Sequence, residues 1–582
     1  MKQIKAPVLV IGGGPVGLWT ALHLAALGVR SILIEKHPET SHHPKASYFN
    51  TRTLELLQDL GIAEEFYASA MFPDGVSFYT NMRGHRLGSL QIGDNPEYLK
   101  AVMGATATPG CVSSQVILES ILKRHADEND LIEVLFGHEK LSLNQAGDGV
   151  DVRVLNRDTG EEMMVQASYV IACDGVHSST RSECGRKLVG PPAFGHIINI
   201  YIEADIESLV EEKNQALYWI ATPSATGVFI GLGGDRQKWC FNTPYFPQRG
   251  ETPEDYSEQR CLDLVHKALG TDQLEVRVLA IGPWVLCGQV IDEFRDSRVF
   301  FGGDAAHLNI PTGGFGLNTG MQETHNLAWK LAGVLEGWAP EAILDTYHQE
   351  RRPIAVFNVE KSRENAVRIR DTGAVLGEPD PEIKEIEDDT ARGRAIREQK
   401  GQAIIEQADH FLFLGQEIGF GYWDSPIVTS DGTPHYAEAH CVDNAVSTYV
   451  SNARPGARAP HCWVTTKDAP ETPQSILRQY GREFVLLCRG EGSGWADTVT
   501  DAVGNIPLVV HSVGPPGSEH SLIDINEQWS EFYGIADTGA VLVRPDGHVC
   551  WRTTEAPTSQ TDTRMVDALE KAVGRTLQEN PK

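Results

Sequence analysis

The sequence predicts an α/β chain of two or three domains, on three observations. A strand–turn–helix–strand unit opens it: "APVLVIG", then "GGPVGLWTALHLAALG", then "SILIE". From about 195 to 245 apolar and polar residues alternate, as in "IINIYIEADI" and "GVFIGLGG". After 460, strand-like runs such as "EFVLLC", "PLVVHSVG" and "GAVLVRPDGHVCWR" return beside helix-like ones. At 582 residues the chain is too long for one ordinary core.

Each element follows from local pattern. In the opening unit, helical spacing ends at Gly28, a residue suited to stopping a helix. Residues 101–190 continue in mixed style, with a helix around "QVILESILKRHADE", strands near 132–136 and 150–155, and a buried strand in "ASYVIACDG". The alternating stretch predicts an antiparallel sheet with one covered face, inserted as a separate lobe. At 298–303 "RVFFGG" restores a buried strand; 318–370 reads as helix and 375–405 as a charged, mainly helical run. "DSPIVTSDGTPHY" and "NARPGARAPHCW" carry Pro and Gly at loop spacing and read as linker. The expected boundaries are 1–190 and 291–405 for the first domain, 191–290 for the lobe, 406–459 for the linker and 460–582 for the last domain.

Bulk properties narrow the function. The net charge of −29, from 50 basic and 79 acidic residues, repels phosphate backbones and anionic membranes, so neither nucleic acid nor membrane is an expected partner. Gly12, Gly13, Gly14 and Pro15 break the apolar run near the N-terminus, which argues against a secretory signal. The 10 cysteines form no C-x-x-C pair, an inventory expected of a reduced, cytoplasmic protein without a cysteine-held metal.

Three motifs carry chemistry. Gly12-x-Gly14-x-x-Gly17 follows a strand and opens a helix, and Glu35 ends the next strand. Glycines there allow a tight turn and close approach of a pyrophosphate to helix amides, with the carboxylate placed for ribose hydroxyls. This fingerprint leaves FAD and NAD both open. "YVIACDGVHSSTR" delivers Asp174 to the carboxyl end of a buried strand, where open α/β sheets bind ligands. "RVFFGGDAAHLNIPTGGFGLN" delivers Asp304 to another strand end, and its Pro311–Gly316 stretch exposes backbone amides before a helix. His307 in this loop reads as scaffold.

Together, in this order and spacing, the motifs resemble the single-component FAD-dependent aromatic hydroxylases, the flavoprotein monooxygenases. "RPGARAPHCW" and "GAVLVRPDGHVCWR" resemble the C-terminal domain of the phenol-hydroxylase branch, and "INIYIEADIESLVE" and "ALYW" its chlorophenol and hydroxybiphenyl hydroxylases. The resemblance implies a FAD-binding Rossmann-like domain with an inserted antiparallel-sheet substrate domain, plus a C-terminal thioredoxin-like α/β domain. It further implies that Gly12, Gly14, Pro15, Val16 and Gly17 hold the FAD diphosphate region, Glu35 the adenosine ribose with Lys36 beside it, and Lys45 the pyrophosphate. Gln115 and Asp304 would contact the flavin side and the ribityl region. Pro311, Gly316, Leu317 and Asn318 would face the flavin ring, while Asp174 belongs to a motif associated with both FAD and NAD(P)H.

Only one dinucleotide fingerprint is present, so NADH or NADPH is expected to bind transiently as electron donor. The implied reaction is hydroxylation of a small phenolic or related aromatic substrate by O2, ortho to a hydroxyl, through a flavin C4a-hydroperoxide. Oxygen insertion of Baeyer–Villiger type or epoxidation of a polyketide-like substrate is the alternative reaction, and a non-catalytic flavin-binding protein the alternative class. Ser47 and Val112 stand where the branch carries a base-like His and Asp. Tyr48 and Pro311 are therefore the candidate catalytic residues, with Ser47, Val112, Tyr201, Tyr218 and Trp219 as the candidate substrate pocket. No metal is expected, and a homodimer is left open.

Overall fold

In the computed structural model the described residues are 2–373, 384–408, 411–434, 444–489, 495, 504–535 and 538–577. The expected charged helix begins among residues outside this set; within it, Ala391–Ile405 is helical, capped by Thr390.

The first domain is built on a sheet whose spine runs in the order Arg295–Asp296, Val299–Phe301, Glu162–Ala172, Lys2–Ile11, Ser31–Glu35, Ile132–Phe136. The last five of these strands pair in parallel. The apolar runs of the inner strands are buried on both faces, as the covering helices of a parallel sheet require, while the edge strand Ile132–Phe136 is half-buried beyond Ile132. Helix Pro15–Ala26 packs on one of those faces beside helix Phe315–Glu336; Trp19 donates its indole N–H to the Met321 carbonyl at 3.0 Å. The predicted helical run over 318–370 is two helices, Phe315–Glu336 and Thr346–Ile369. Gly337, at φ 80°, ends the first in the left-handed region that favours glycine.

The inserted lobe is a seven-stranded sheet in the order Arg277–Leu286, Gly195–Glu203, Lys238–Pro244, Gly227–Gly231, Gln215–Ile220, Gly75–Tyr79, Arg86–Gln91. Its last two strands come from early in the chain, and Gly75–Tyr79 joins Gln215–Ile220 in parallel. The lobe thus reaches beyond the stretch 191–290. One face carries Ile198, Ile200, Ile202, Phe229, Trp239 and Phe241, packed with Cys261, Val265 and Leu269 of helix Glu258–Leu269. Period-two alternation sends Asn199, Asn242, Val228 and Trp219 to the opposite face.

The last domain holds a mixed seven-stranded sheet in which Phe484–Arg489 pairs in parallel with Leu508–Gly514 and antiparallel with Ala540–Val543, which turns back as Val549–Thr553. This is the thioredoxin-like α/β domain of the predicted fold class. Cys462, Cys488 and Cys550 are buried and in no disulfide; burial pushes Cys550 up to about 12 and Cys462 well above the ordinary range. A thiol held protonated is a poor nucleophile, so Cys462 and Cys550 serve as packing.

Buried charges clamp this domain to the first. Arg458 donates to both Glu55 oxygens and to the Ala105 carbonyl, and Arg52 bridges Glu55 and the Asp546 carbonyl. Deeper, Glu350 accepts from Arg544 at 2.6 and 3.0 Å, from Lys330 at 2.7 Å, from Asn326 at 2.7 Å and from Ser425 at 2.6 Å. Burial alone would raise the Glu350 carboxyl; Arg544 and Lys330 outweigh it and hold the group down to about 2.

Candidate functional site

A single cavity of about 1890 Å³ runs from the Gly12–Val16 loop, past Asp174, Asp304 and Pro311–Leu317, to the open face of the inserted sheet. A pocket of that size exceeds the usual ~300–1,000 Å³ for one small ligand, so it has room for a cofactor together with a substrate.

At one end the fingerprint glycines do different work. Gly12 sits at φ 112°, and a Cβ there would meet the Cys173 carbonyl oxygen at 2.2 Å. A Cβ on Gly17 would stand 1.9 Å from the Gly12 carbonyl oxygen, so Gly17 serves the packing of helix on turn and does not itself line the cavity. Gly14 has ordinary angles, and a Cβ on it meets nothing within 4 Å. It faces the cavity beside Pro15 and Val16, and no side chain caps the helix that begins there. Glu35 accepts the Gly13 N–H at 2.7 Å and the His37 N–H at 2.9 Å, and it lines the same wall with Lys36 and Lys45. Gln115 accepts from the Ala46 N–H at 3.1 Å and donates to Glu119 at 2.6 Å, which fixes its amide at the cavity edge.

The two acidic motifs meet across the parallel strands. Asp174 Oδ2 accepts from the backbone and hydroxyl of Thr180, while its buried Oδ1 has no hydrogen-bond partner among the described residues. Arg181 ties this turn to the next: it donates to the Ala305 carbonyl at 3.0 Å and the Val176 carbonyl at 2.7 Å. Arg181 closes the quoted "DGVHSSTR" stretch, yet a sequence cannot show an arginine spent on backbone carbonyls. Asp304 is exposed to the cavity, and the protein packed around it desolvates its carboxyl and raises it above the usual range. The loop behind it is propped by His307, which faces Glu323 at 3.1 Å and Asn309 at 2.8 Å. Burial works against protonation of His307, but Glu323 prevails and raises it. The His307 ring does not line the cavity.

The helix Phe315–Glu336 starts at Gly314, at φ 68°, with no side-chain cap. Its first amides are therefore free to face a ligand, and Pro311, Gly316 and Leu317 border the cavity there. Asn318 does not border it. Its amide donates to the Tyr48 and Gly314 carbonyls at 3.0 and 2.6 Å and accepts the Asn50 N–H at 3.0 Å, so its side chain locks the loop in place.

Ser47, Tyr48 and Val112 line the cavity. The Tyr48 hydroxyl donates at 2.5 Å to Glu417, a buried carboxylate on the helix Leu414–Ile418 of the predicted linker. Burial, then Glu417, pushes the Tyr48 phenol well above its ordinary value, so it is a hydrogen-bond donor and no base. Two expected pocket residues lie elsewhere. Tyr218 points to the helix-covered face, where its hydroxyl donates to Glu207 at 2.7 Å. Tyr201 does not border the cavity; its ring stands edge-on to that of His43, which does, with centroids 6.4 Å apart. Trp219 borders the cavity.

The residues present fit FAD. Gly14 leaves room that a Cβ would occupy, two uncapped helix starts offer N–H groups to anionic portions, and Asp174 and Asp304 supply acceptors for hydroxyls. Asp304→Ala is expected to weaken FAD binding by roughly 1–3 kcal/mol through loss of one acceptor. Titration of the apo variant with FAD, read by flavin fluorescence, checks this; unchanged affinity would leave Asp304 with a structural role.

Comparison with known proteins agrees with this geometry. Residues 5–362 match the FAD binding domain family, and residues 452–576 match the family described as aromatic-ring hydroxylase, C-terminal. The chain is 32% identical over 594 residues to 2,4-dichlorophenol 6-monooxygenase of Cupriavidus pinatubonensis, covering 98% of this chain and 97% of that one. It is 31% identical over 570 residues to the tetracenomycin B2 monooxygenase-dioxygenase of Streptomyces olivaceus, covering 95% and 96%. The crystal structure of the flavin-dependent monooxygenase PieE with FAD and substrate superposes with a TM-score of 0.88 at 29% identity, covering 98% of this chain and 100% of that one. No helix among the described residues is long and apolar enough to cross a membrane. The chain belongs to the FAD-dependent aromatic hydroxylases, a family of flavoprotein monooxygenases.

Proposed function

We propose that this hydroxylase uses NAD(P)H and O2 to place an oxygen on a phenolic ring, ortho to the existing hydroxyl. The observation that carries the reading is the continuous cavity joining the dinucleotide loop to the inserted sheet through the uncapped helix start at Gly314. Bound FAD supplies the redox chemistry, taking electrons from NAD(P)H and activating O2. The chain's own residues bind and orient. Gly316 and Leu317 present the first turn of the helix, whose amides and dipole stabilise negative charge. Pro311, whose carbonyl accepts the Gly314 N–H at 3.0 Å, shapes the turn that delivers this helix. Apolar walls from Val228, Ile230, Leu217 and Val112 exclude water from the reacting ring.

No base stands at Ser47 or Val112, and Tyr48 is committed to Glu417. The substrate's own acidity therefore governs how readily its phenolate forms, since an ordinary phenol ionises only near pH ~10. With a graded panel of halogenated and nitrated phenols at neutral pH, hydroxylation is expected to rise as substrate pKa falls toward 7, until ring electron withdrawal slows oxygen transfer. Tyr48→Phe is expected to change the hydroxylation rate by less than about tenfold, below the roughly 100- to 10,000-fold of an acid–base role. Product yield and peroxide release scored together check both. A rate independent of substrate pKa, with Tyr48→Phe abolishing hydroxylation and raising peroxide, would make Tyr48 the proton carrier instead.

A further inference from the structure

The sheet wall of the cavity carries a polar row that the fold leaves unsatisfied. Asn199 lies opposite Asn242 in the adjacent strand, Asn242 opposite Val228, and Val228 opposite Trp219. All four border the cavity. The row crosses four strands, three inter-strand spacings or about 14 Å, longer than a single six-membered ring. Each polar member is buried: Asn199 is 4% exposed, Asn242 2% and Trp219 4%. Yet Asn199 Oδ1, Asn242 Oδ1 and Trp219 Nε1 have no hydrogen-bond partner among the described residues.

Natural proteins rarely leave buried amide and indole groups unpaired, and three in one register row on one wall is a concentration that stability does not reward. Along the same face they stand beside the apolar Leu217 and Ile230, and of the two asparagines Asn199 also reaches the Cys240 thiol. Ligands supply the missing partners in sites of this kind, where a few placed polar groups in an apolar wall fix orientation. An asparagine amide offers an acceptor and two donors and suits a hydroxyl, whereas the indole N–H only donates and suits a carbonyl or hydroxyl oxygen.

We infer that Asn199, Asn242 and Trp219 select the substrate by hydrogen bonds to oxygen substituents on a part of the molecule other than the ring being hydroxylated. The preferred substrate is then a fused or linked multi-ring phenol bearing a second hydroxyl or carbonyl, and a bare monocyclic phenol is a poor fit. This rests on the hydroxylase reading above and names the substrate class of that same site. Sites built to hydrogen-bond a substrate group discriminate strongly against analogues lacking it, because their own buried polar groups are then left unpaired.

The test uses the FAD-loaded full-length enzyme and two probes that differ only in the distal substituent, 1-naphthol and 1,5-dihydroxynaphthalene. Dissociation constants come from perturbation of the flavin spectrum, and products from mass analysis with NAD(P)H. The wild type is expected to bind the dihydroxy probe at least about tenfold more tightly, and Asn199→Leu, Asn242→Leu and Trp219→Phe each to shrink that ratio. Flavin content and circular dichroism confirm folding; Asn242→Ser replaces a leucine variant that does not fold. Equal binding of the two probes by the wild type, or a ratio unchanged in folded variants, would overturn the inference while leaving hydroxylation standing. Absence of ring hydroxylation of every phenol by a flavin-replete wild type would instead remove the hydroxylase reading on which it rests.

Discussion

Gly14→Ala is expected to fold normally and to lose FAD, whereas Gly17→Ala is expected to lose both. The two positions belong to one motif but answer to different neighbours. A methyl on Gly17 has nowhere to go, since the Gly12 carbonyl oxygen already stands 1.9 Å from its ideal Cβ position. Relieving that clash means moving the turn off the helix. A methyl on Gly14 meets no protein atom within 4 Å, and its φ of −73° is open to alanine. Its cost to the apo protein is within about 1 kcal/mol, that of a changed helix N-cap. The space it fills is the space a pyrophosphate needs at the helix start. Purification of both variants, with flavin content by absorbance and thermal unfolding of the apo forms, separates the two effects. Stoichiometric FAD in Gly14→Ala would remove the diphosphate assignment.

Glu350→Ala is expected to cost about 3–5 kcal/mol, the usual penalty for removing one partner from a buried ion pair. Lys330 would lose its carboxylate partner and Arg544 would keep only Asp546, at a seam where the last domain meets the first. The pH dependence follows from the same group. Glu350 sits near 4.5 when unfolded and about 2 when folded. A carboxylate depressed by folding stabilises the native state in full above its unfolded value. That contribution disappears as pH falls from about 4.5 toward 2. Denaturant unfolding of wild type and Glu350→Gln across this range checks the sign: the difference between them should narrow as pH drops. A gap that widens in acid would contradict the assignment of Glu350 as the anionic centre of the clamp.

What the sequence disclosed and what it hid have separate physical causes. The cofactor half was legible because backbone geometry dictates residue type: a turn at φ 112° and a helix start at φ 68° both favour glycine, and Gly12 and Gly314 stand there. Strand alternation identified the inserted sheet but could not say which parity faced the ligand. Tyr218 and Trp219 are consecutive in one strand and so must point to opposite faces; expecting both in the pocket ignored that constraint. Asn199 and Asn242 are 43 positions apart in sequence and meet only through antiparallel register. Glu417 lay in a segment read as linker, and its partner Tyr48 is 369 residues away. The Glu55–Arg458 pair spans 403 residues, and "RPGARAPH" hinted at loop chemistry without naming the acid it would meet. Contacts of that range leave no periodic trace in a single chain.

On the proposed function, this cavity directs an oxygen atom from O2 onto an aromatic ring. Incubation of the FAD-loaded enzyme with NAD(P)H, a phenolic substrate and isotopically labelled O2, followed by product mass analysis, tests it most directly. One labelled oxygen is expected in a new ring hydroxyl adjacent to the first, formed in proportion to NAD(P)H consumed. A label found in a lactone, ester or epoxide, or NAD(P)H consumption that yields only peroxide with every phenol supplied, would contradict it.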